Sequence, residues 1–247
     1  MELKALLFDV NGTLIDIETD EGMEEIYRGI GHFLTYQGIY LHPGEIRELY
    51  FRIMNEQLGA SREAFPQFDA VAIWDTILER HVSDYTRALP PEKRRQLPVT
   101  LAEMQRSLSI KRLEAYPGVK DALEQLREHY GLAVVTDAQI AYATAELCAA
   151  GLRDYFHPII VSGDYGYHKP DPRLFNRALE QLQVRPEEAI FVGNNMYHDV
   201  YGAQQAGMKA VFYPSRFGDK VYKDTAADYI IYHFGQLLDA VRFLLAR

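Results

Sequence analysis

Four short polar segments of this sequence carry side chains that could perform nucleophilic chemistry. They are Asp9–Thr13, Thr136-Asp137, a segment around Lys169, and Asn194–Asp199. Each comes after a short apolar run, as expected for a loop that leaves the carboxyl end of a buried strand. Because the carboxyl ends of parallel strands share one edge of a sheet, a parallel arrangement would bring all four segments into a single site.

The residue types suggest how such a site could work. The carboxylate of Asp9, beside the permissive backbone of Gly12, could attack an electrophile while main-chain amides hold the anion. The hydroxyl of Thr136 could donate to a bound oxyanion, and the ammonium of Lys169 could orient the nucleophile and offset negative charge. Taken alone, each residue also suits an ordinary role, such as helix capping by Asp199. Their occurrence in order, each after a strand, favours a shared site.

The elements that must position these residues can be read from hydrophobic periodicity. Five apolar runs have the length of strands: Leu3–Phe8, Leu132–Thr136, Pro158–Val161, Ala189–Gly193 and Lys209–Tyr213. Between them lie segments of helical period, notably after Pro117-Gly118 and after Pro172. This alternation predicts an α/β fold with a doubly wound parallel sheet, in which ligands bind beyond the carboxyl ends of the strands.

Residues 17–114 interrupt the alternation. Three amphipathic helices are indicated there: one through Ile26–Leu34, one after Pro43-Gly44, and one through Val71–Val82 that Pro90-Pro91 closes. The sequence therefore predicts an α/β core domain of residues 1–16 and 115–247, with a helical insertion of residues 17–114. His198, beside Asp199, is predicted to face outward from a helix.

Composition limits the class of partner. The chain of 247 residues is 48% hydrophobic and 25% charged, which is typical of a globular protein. Its 35 acidic and 26 basic side chains give a net charge of −9, so we expect neither nucleic acid nor a membrane surface as partner. A small anionic substrate stays compatible, because one pocket can be locally basic. The oligomeric state is left open.

Cysteine usage and hydropathy narrow the interpretation further. The single cysteine, Cys148, cannot form an intramolecular disulfide or a thiolate zinc cluster, and we expect it to be a small buried side chain. The sequence has neither a secretory signal nor a run of about 18 apolar residues, so we expect a cytoplasmic location.

The four segments resemble the motifs of the haloacid dehalogenase-like hydrolase superfamily. The matching stretches are Phe8–Leu14, Val135-Thr136, Lys169–Phe175 and Val192–Asp199, the last running on to Met208. The helical insertion lies where that superfamily carries a cap between its first and second motifs. The resemblance therefore implies a Rossmann-like α/β core with an inserted α-helical cap domain, with the boundaries given above.

The resemblance also implies roles for the residues that contact substrate. Asp9 would be the nucleophile that forms a covalent aspartyl intermediate, and Lys169 would orient it. Thr136 would bind the transferred group, and we place Thr13 and Asp137 on the same substrate-binding side.

A metal site is implied in the same way. Mg²⁺ would be held by Asp9 and by the backbone carbonyl of Asn11. Asn194 and Asp199 occupy the places of the family's acidic magnesium ligands and complete the implied set.

Two of these positions depart from the pattern of the family's phosphatases. Asn11 stands where they carry an aspartate that protonates the leaving alcohol and later activates water, and losing such a group costs about 10²–10⁴-fold in rate. Asn194 also replaces an aspartate, so Mg²⁺ binding should be weakened. Asp137, where many relatives have asparagine, restores one negative charge nearby.

Three functions remain open at this point. The favoured one is a phosphatase acting on a small phosphorylated metabolite. The first alternative is a metal-independent hydrolase like the 2-haloacid dehalogenases, because a halide leaves without protonation and tolerates Asn11. The second alternative is a catalytically weakened protein that binds a ligand or regulates. The presence of Asp9, Thr136, Lys169 and Asp199 together argues against complete loss of activity.

Overall fold

The computed structural model describes residues 2–246. These residues form eight strands: β1 (Ala5–Phe8), β2 (Ile15–Thr19), β3 (Ile110–Ala115), β4 (Gly131–Thr136), β5 (Ile159–Val161), β6 (Ala189–Gly193), β7 (Lys209–Phe212) and β8 (Tyr229–Ile230). They also form ten α-helices: α1 (Glu24–Tyr36), α2 (Pro43–Ala60), α3 (Ala70–Arg80), α4 (Asp84–Ala88), α5 (Pro91–Ser109), α6 (Val119–Leu126), α7 (Ile140–Ala149), α8 (Pro172–Leu182), α9 (Gly202–Gln205) and α10 (Leu237–Leu245).

Six strands form one sheet in the order β5-β4-β1-β6-β7-β8. Every neighbouring pair in it is parallel. The chain runs outward from β1 through β4 to β5, then crosses to β6 on the other side of β1. This reversal of strand order creates the crevice at which doubly wound sheets bind their ligands. The predicted α/β fold is therefore confirmed, and the crevice lies at the carboxyl end of β1.

The centre of the sheet is buried because its strands are almost entirely apolar. All four residues of β1 have no exposed surface. On one face, α8 packs its buried side chains against the strands, with the rings of Phe175 and Phe191 meeting edge to face at 5.0 Å. This dry packing fixes the strand ends, and so fixes the loops that follow them.

The chain divides into two compact units. The first contains the residues up to Ile17 and from Leu113 onward, and the second is Glu18–Arg112. The second unit is helical and contains α1 to α5. In it, the buried Trp74 of α3 donates its indole N–H to Gln105 of α5 over 3.1 Å.

The longest helix of the second unit was not predicted. Pro90-Pro91 was expected to close a helix, but Pro91 begins α5, which continues for 19 residues through Pro98. Proline suits the first turn of a helix because the amide hydrogen that it lacks has no helical partner there. The short pair of strands β2 and β3 was also missed.

The expectation for Cys148 is wrong, because this side chain is exposed. Ala143 and Leu147 occupy the buried face of α7, and Cys148 lies one residue further round the helix.

Among residues 2–246, none of the helices combines the length and the apolar character needed to cross a membrane.

Candidate active site

The polar segments leave adjacent strands of the sheet. Phe8, the last residue of β1, is in register with Val134 of β4 on one side and with Val192 of β6 on the other. The amide of Asp9 continues this ladder by donating to the carbonyl of Val192 over 3.0 Å. Asp9 therefore begins the loop at the centre of the sheet edge, between the loops that follow β4 and β6.

The loop after β1 is a tight turn closed by its own backbone. The amides of Thr13, Leu14 and Ile15 all donate to the carbonyl of Val10, at 2.9–3.1 Å. Gly12 has a φ of +84°, and a Cβ there would lie 2.4 Å from the side-chain nitrogen of Asn194. Glycine is required here by both conformation and space.

Lys169 joins two buried carboxylates. Its Nζ donates to Asp9 Oδ1 and to Asp199 Oδ1, each over 2.7 Å. Asp9 is 6% exposed, and Lys169 and Asp199 are each 1% exposed. Such short, shielded, charge-assisted bonds hold the three groups in one fixed geometry. The structure thus brings the predicted nucleophile and the predicted orienting lysine into direct contact.

Burial and charge act on these groups in opposite directions. Burial raises the pKa of Asp9 to about 6, although the neighbouring charge of Lys169 lowers it. Burial alone would lower the pKa of Lys169, but the charges of Asp199 and Asp9 raise that pKa well above its usual range. At neutral pH the lysine is therefore an ammonium and Asp9 is largely an ionised carboxylate.

The second oxygen of Asp9 faces Thr13 and Asn194. Thr13 Oγ1 lies 2.9 Å from Asp9 Oδ2 and 3.2 Å from Asn194 Oδ1. The amide nitrogen of the Asn194 side chain donates to Ser215 Oγ over 3.2 Å, which directs its oxygen toward Thr13. Ser215 was not identified from the sequence, because it follows β7 and belongs to none of the recognised motifs.

Asp199 is held by the loop that follows β6. Its Oδ2 accepts from the backbone amides of Asn194 and Asn195, at 3.0 and 2.9 Å. Gly193 makes this approach possible, because a Cβ there would lie 2.4 Å from the Cβ of Asp199. Both oxygens of Asp199 thus accept hydrogen bonds from the protein itself.

Two polar atoms of the site have no hydrogen-bond partner among the described residues. They are Asn11 Oδ1 and Thr136 Oγ1, and both are shielded from solvent. Buried polar atoms are nearly always satisfied in folded proteins, so orphans at a sheet edge indicate where a ligand or an ion would supply the missing contacts.

Asp137 contacts the backbone of Lys169 and a histidine. Its Oδ1 accepts from the amide of Lys169 over 2.9 Å, and its Oδ2 lies 3.0 Å from His198 Nδ1. Burial alone would raise the pKa of Asp137, but the charge of Lys169 and the hydrogen bonds from His198 and the Lys169 amide hold it below its usual range. Asp137 therefore fixes the segment that carries Lys169.

The predicted outward orientation of His198 is wrong. Its ring turns toward Asp137 and stacks on the ring of His168, with centroids 5.3 Å apart. The segment Met196–Tyr201 is a π-helical turn, capped by Asn195. The π-helix has a wider spacing than the α-helix from which the outward face was predicted, so the side chain points elsewhere.

The residues predicted to hold Mg²⁺ offer the type of donor that this ion prefers. Asp9, the backbone carbonyl of Asn11 and the side-chain carbonyl of Asn194 provide only oxygen ligands. The side-chain oxygen of Asn11, which is a different atom from the predicted ligand, has no hydrogen-bond partner among the described residues. Two carboxylates, those of Asp9 and Asp199, contact one ammonium, so a negative charge remains for a cation to offset. Asp199 differs from Asp9 because two backbone amides already hold its Oδ2. The site fits a hard divalent cation.

Comparison with known proteins identifies the family. A sequence profile described as "Haloacid dehalogenase-like hydrolase" matches residues 6–213. The chain is 28% identical to a glyceraldehyde 3-phosphate phosphatase of Methanopyrus kandleri, over 98% of each protein. It is 31% identical to a phosphoserine phosphatase of Thermus thermophilus, over 85% of this chain and 88% of that one.

The fold has close structural parallels as well. A 2-haloacid dehalogenase from Pseudomonas syringae pv. Tomato superposes with a TM-score of 0.67 at 24% identity, over 98% of this chain and 99% of that chain. At this level of identity the likeness concerns the fold. Because the sequence profile matches most of the chain and the sequence relatives agree with it, the chain belongs to the haloacid dehalogenase-like hydrolase family.

Proposed function

We propose that the protein is a Mg²⁺-dependent phosphatase that acts on a small phosphorylated metabolite through an aspartyl phosphate at Asp9. The observation that carries this proposal is the contact between Asp9 and Lys169 at the carboxyl end of β1, over 2.7 Å. Two sequence relatives named as phosphatases, which align with most of this chain, support the same class of reaction.

In the first step, the carboxylate of Asp9 attacks the phosphorus of the ester. A bond forms between phosphorus and an Asp9 oxygen, and the bond to the alcohol oxygen breaks. Lys169 and Thr13 hold the two carboxylate oxygens in place, and the Thr136 hydroxyl donates to a phosphoryl oxygen. The transferred group is thereby bound while its charge develops.

In the second step, a water oxygen forms a bond to the phosphorus, and the bond between the phosphorus and the Asp9 oxygen breaks. The water protons remain on inorganic phosphate or pass to solvent, and the Asp9 carboxylate is restored. Mg²⁺, when bound, would neutralise phosphoryl oxygens, held by Asp9, the carbonyl of Asn11 and the side chain of Asn194. Asp199 keeps the loop after β6 and the ammonium of Lys169 in position. Asp137 positions the backbone of Lys169, in addition to its predicted place near the substrate.

The site lacks a side chain at position 11 that could donate a proton to the leaving group. The departing alcohol needs a proton, and the amide of Asn11 cannot exchange one near neutral pH. The proton therefore comes from solvent, and we expect substrates with good leaving groups or slow turnover. The same feature supports a second candidate, a 2-haloacid dehalogenase-like reaction, because a halide departs without protonation.

The helical unit Glu18–Arg112 is proposed to serve as the cap that selects the substrate.

A cytoplasmic location stays a prediction, which fractionation of cells that express the protein would test.

A paired screen tests the proposed function. Wild-type protein and Asp9→Asn are incubated with phosphoesters, including glyceraldehyde 3-phosphate and phosphoserine, and with 2-chloropropionate, each with Mg²⁺ and with a chelator. We expect phosphate release by wild type with Mg²⁺ and none by Asp9→Asn. Phosphate release that persists in Asp9→Asn would overturn the nucleophile assignment. Halide release without phosphate release would establish the second candidate instead.

A further inference from the structure

A second cluster of ligand-type side chains lies beside the backbone of Lys169. It consists of Asp137, His168 and His198, which offer one ligand atom each, all within 4.8 Å of one another. We propose that these three residues bind a divalent transition-metal ion of the Zn²⁺ class, at a site separate from the proposed Mg²⁺ site. We call it the histidine site.

The donor set favours this class of ion over Mg²⁺. Two imidazole nitrogens and one carboxylate oxygen are ligands typical of Zn²⁺, Co²⁺ and Ni²⁺, whereas Mg²⁺ prefers oxygen ligands in octahedral geometry. Asp9, Asn11 and Asn194 provide only oxygen. The two groups of residues therefore differ in the chemistry of the ion that they select.

One pair of ligand atoms in the histidine site has nearly the spacing expected around a bound ion, and all three ligand atoms lie within 4.8 Å of one another. His198 Nδ1 and Asp137 Oδ2 are 3.0 Å apart. Two atoms bound to one tetrahedral Zn²⁺ at about 2.0–2.1 Å lie about 3.4 Å apart. A displacement of a few tenths of an ångström in this pair would let the ion take the place of the hydrogen between the two atoms, and the ring of His168 would move toward the ion to complete the site.

The tautomer of His168 is also suited to binding a metal. Its Nδ1 contacts the backbone carbonyl of Lys169, so this nitrogen carries the hydrogen and donates it. The lone pair is then on Nε2. Histidines that bind metal commonly donate their other ring N–H to a carbonyl or carboxylate in this way, which fixes the ring. The nearly parallel stacking of His168 on His198, at 9°, orients the second ring.

The surrounding charges permit a cation at the histidine site. The ammonium of Lys169, whose backbone adjoins the histidine site, is paired with the carboxylates of Asp9 and Asp199. Lys169 contacts Asp137 through its backbone amide, which donates to Oδ1, so Oδ2, which faces His198, is the oxygen that would bind the ion. The side chains of His198 and Asp137 are 32% and 25% exposed, so an ion can enter from solvent.

Binding at the histidine site would join three separate segments. Asp137 follows β4, His168 precedes Lys169, and His198 lies in the turn after β6. An ion held by all three resists unfolding of each segment, because ligand binding to the folded state alone stabilises that state. A rise in melting temperature therefore accompanies binding.

Titration with Co²⁺ and Zn²⁺ tests the proposal. The titrations are run in a large excess of Mg²⁺, so that hard-oxygen sites are already filled. We expect wild-type protein to bind one Zn²⁺ by calorimetry, and to give with Co²⁺ the visible absorption of a site with nitrogen ligands. Replacing a ligand in His168→Gln, His198→Gln or Asp137→Asn should weaken binding at least about tenfold. The matched control is His233→Gln, at an exposed histidine of the same unit, which should bind as wild type does.

The outcomes separate this proposal from the proposed phosphatase. Asp9→Asn should still bind Zn²⁺ normally, whatever its activity. The histidine site is refuted if wild type binds no Zn²⁺, or if His168→Gln and His198→Gln bind it as tightly as His233→Gln does. Circular dichroism of the metal-free variants checks their folding. If a variant does not fold, X-ray absorption of the wild-type Zn²⁺ complex decides the matter by counting the ligands. We expect two nitrogen ligands, and a complex without nitrogen ligands would contradict the proposal.

Discussion

Asp9 and Asp199 are two aspartates that bind the same lysine at the same distance, yet their surroundings differ. Each accepts from Lys169 Nζ over 2.7 Å. Asp199 also accepts two backbone amides, whereas the other oxygen of Asp9 contacts only the hydroxyl of Thr13 among the hydrogen bonds identified. Backbone amides fix a carboxylate in place, and a carboxylate with fewer donors keeps more of its nucleophilic character. The difference assigns reactivity to Asp9 and positioning to Asp199.

The largest effect expected from this contrast is on activity. Asp9→Asn removes the nucleophile while leaving the bond between Lys169 and Asp199, so phosphate release should fall by about 10⁴-fold or more. Steady-state assays with a responsive phosphoester measure the loss. Residual activity within tenfold of wild type would mean that Asp9 does not attack the substrate.

The free energy of unfolding should depend more on Asp199 than on Asp9. Asp199→Asn removes the charge that two backbone amides and Lys169 share, and we expect a loss of about 1–3 kcal/mol in the free energy of unfolding. Asp9→Asn should cost less than about 1 kcal/mol, because burial already disfavours the ionised form of Asp9. Urea denaturation of both variants at neutral pH provides the comparison. Equal losses would show that the two aspartates are not distinguished by their surroundings.

Replacing each of the two asparagines of the site with aspartate tests whether the loops after β1 and β6 have separate roles. Asn11→Asp places a proton donor two residues after the nucleophile, and phosphate release should rise about tenfold or more. Asn194→Asp, the matched change in the loop after β6, should instead lower the Mg²⁺ concentration needed for half-maximal activity, with little change in maximal rate. If both variants respond alike, the two loops do not have separate roles.

The smallest effect concerns pH. In the folded protein the pKa of Asp9 is raised from 3.8 to about 6, so the folded state binds this proton more tightly than the unfolded chain does. The resulting stabilisation is fully present below 3.8 and is lost as the pH rises through about 6. In Mg²⁺-free buffer, the unfolding free energy of wild type minus that of Asp9→Asn should therefore increase as the pH falls from about 7 to about 5. A flat difference would contradict the raised pKa.

The sequence was sufficient to predict the sheet because its strands are continuous apolar runs that end in polar loops. The placement of Asp9, Thr136 and Lys169 after such runs depends on that local pattern, and the structure brings Asp9 and Lys169 into contact. The polar turn after β6 was predicted from the same pattern. The roles of these residues in the reaction stay predictions until the variants are measured.

The details that escaped prediction depend on contacts between distant segments. His198 turns toward Asp137 because its segment forms a π-helical turn, which periodicity alone does not indicate. Ser215 orients Asn194 from a loop 21 residues further along the chain. Pro91 was read as a helix terminator, although proline is equally suited to the first turn of a helix such as α5.

Covalent capture by Asp9 is the central claim, and a single-turnover reaction in ¹⁸O-labelled water tests it most directly. Excess protein is mixed with substrate, quenched with borohydride in one sample and digested directly in another, and the peptide that contains Asp9 is analysed by mass spectrometry. We predict that borohydride reduces the acyl phosphate at Asp9 to homoserine, and that the ¹⁸O label is found in phosphate and not in Asp9. Label in the Asp9 carboxylate, or reduction at a different residue, would contradict the account.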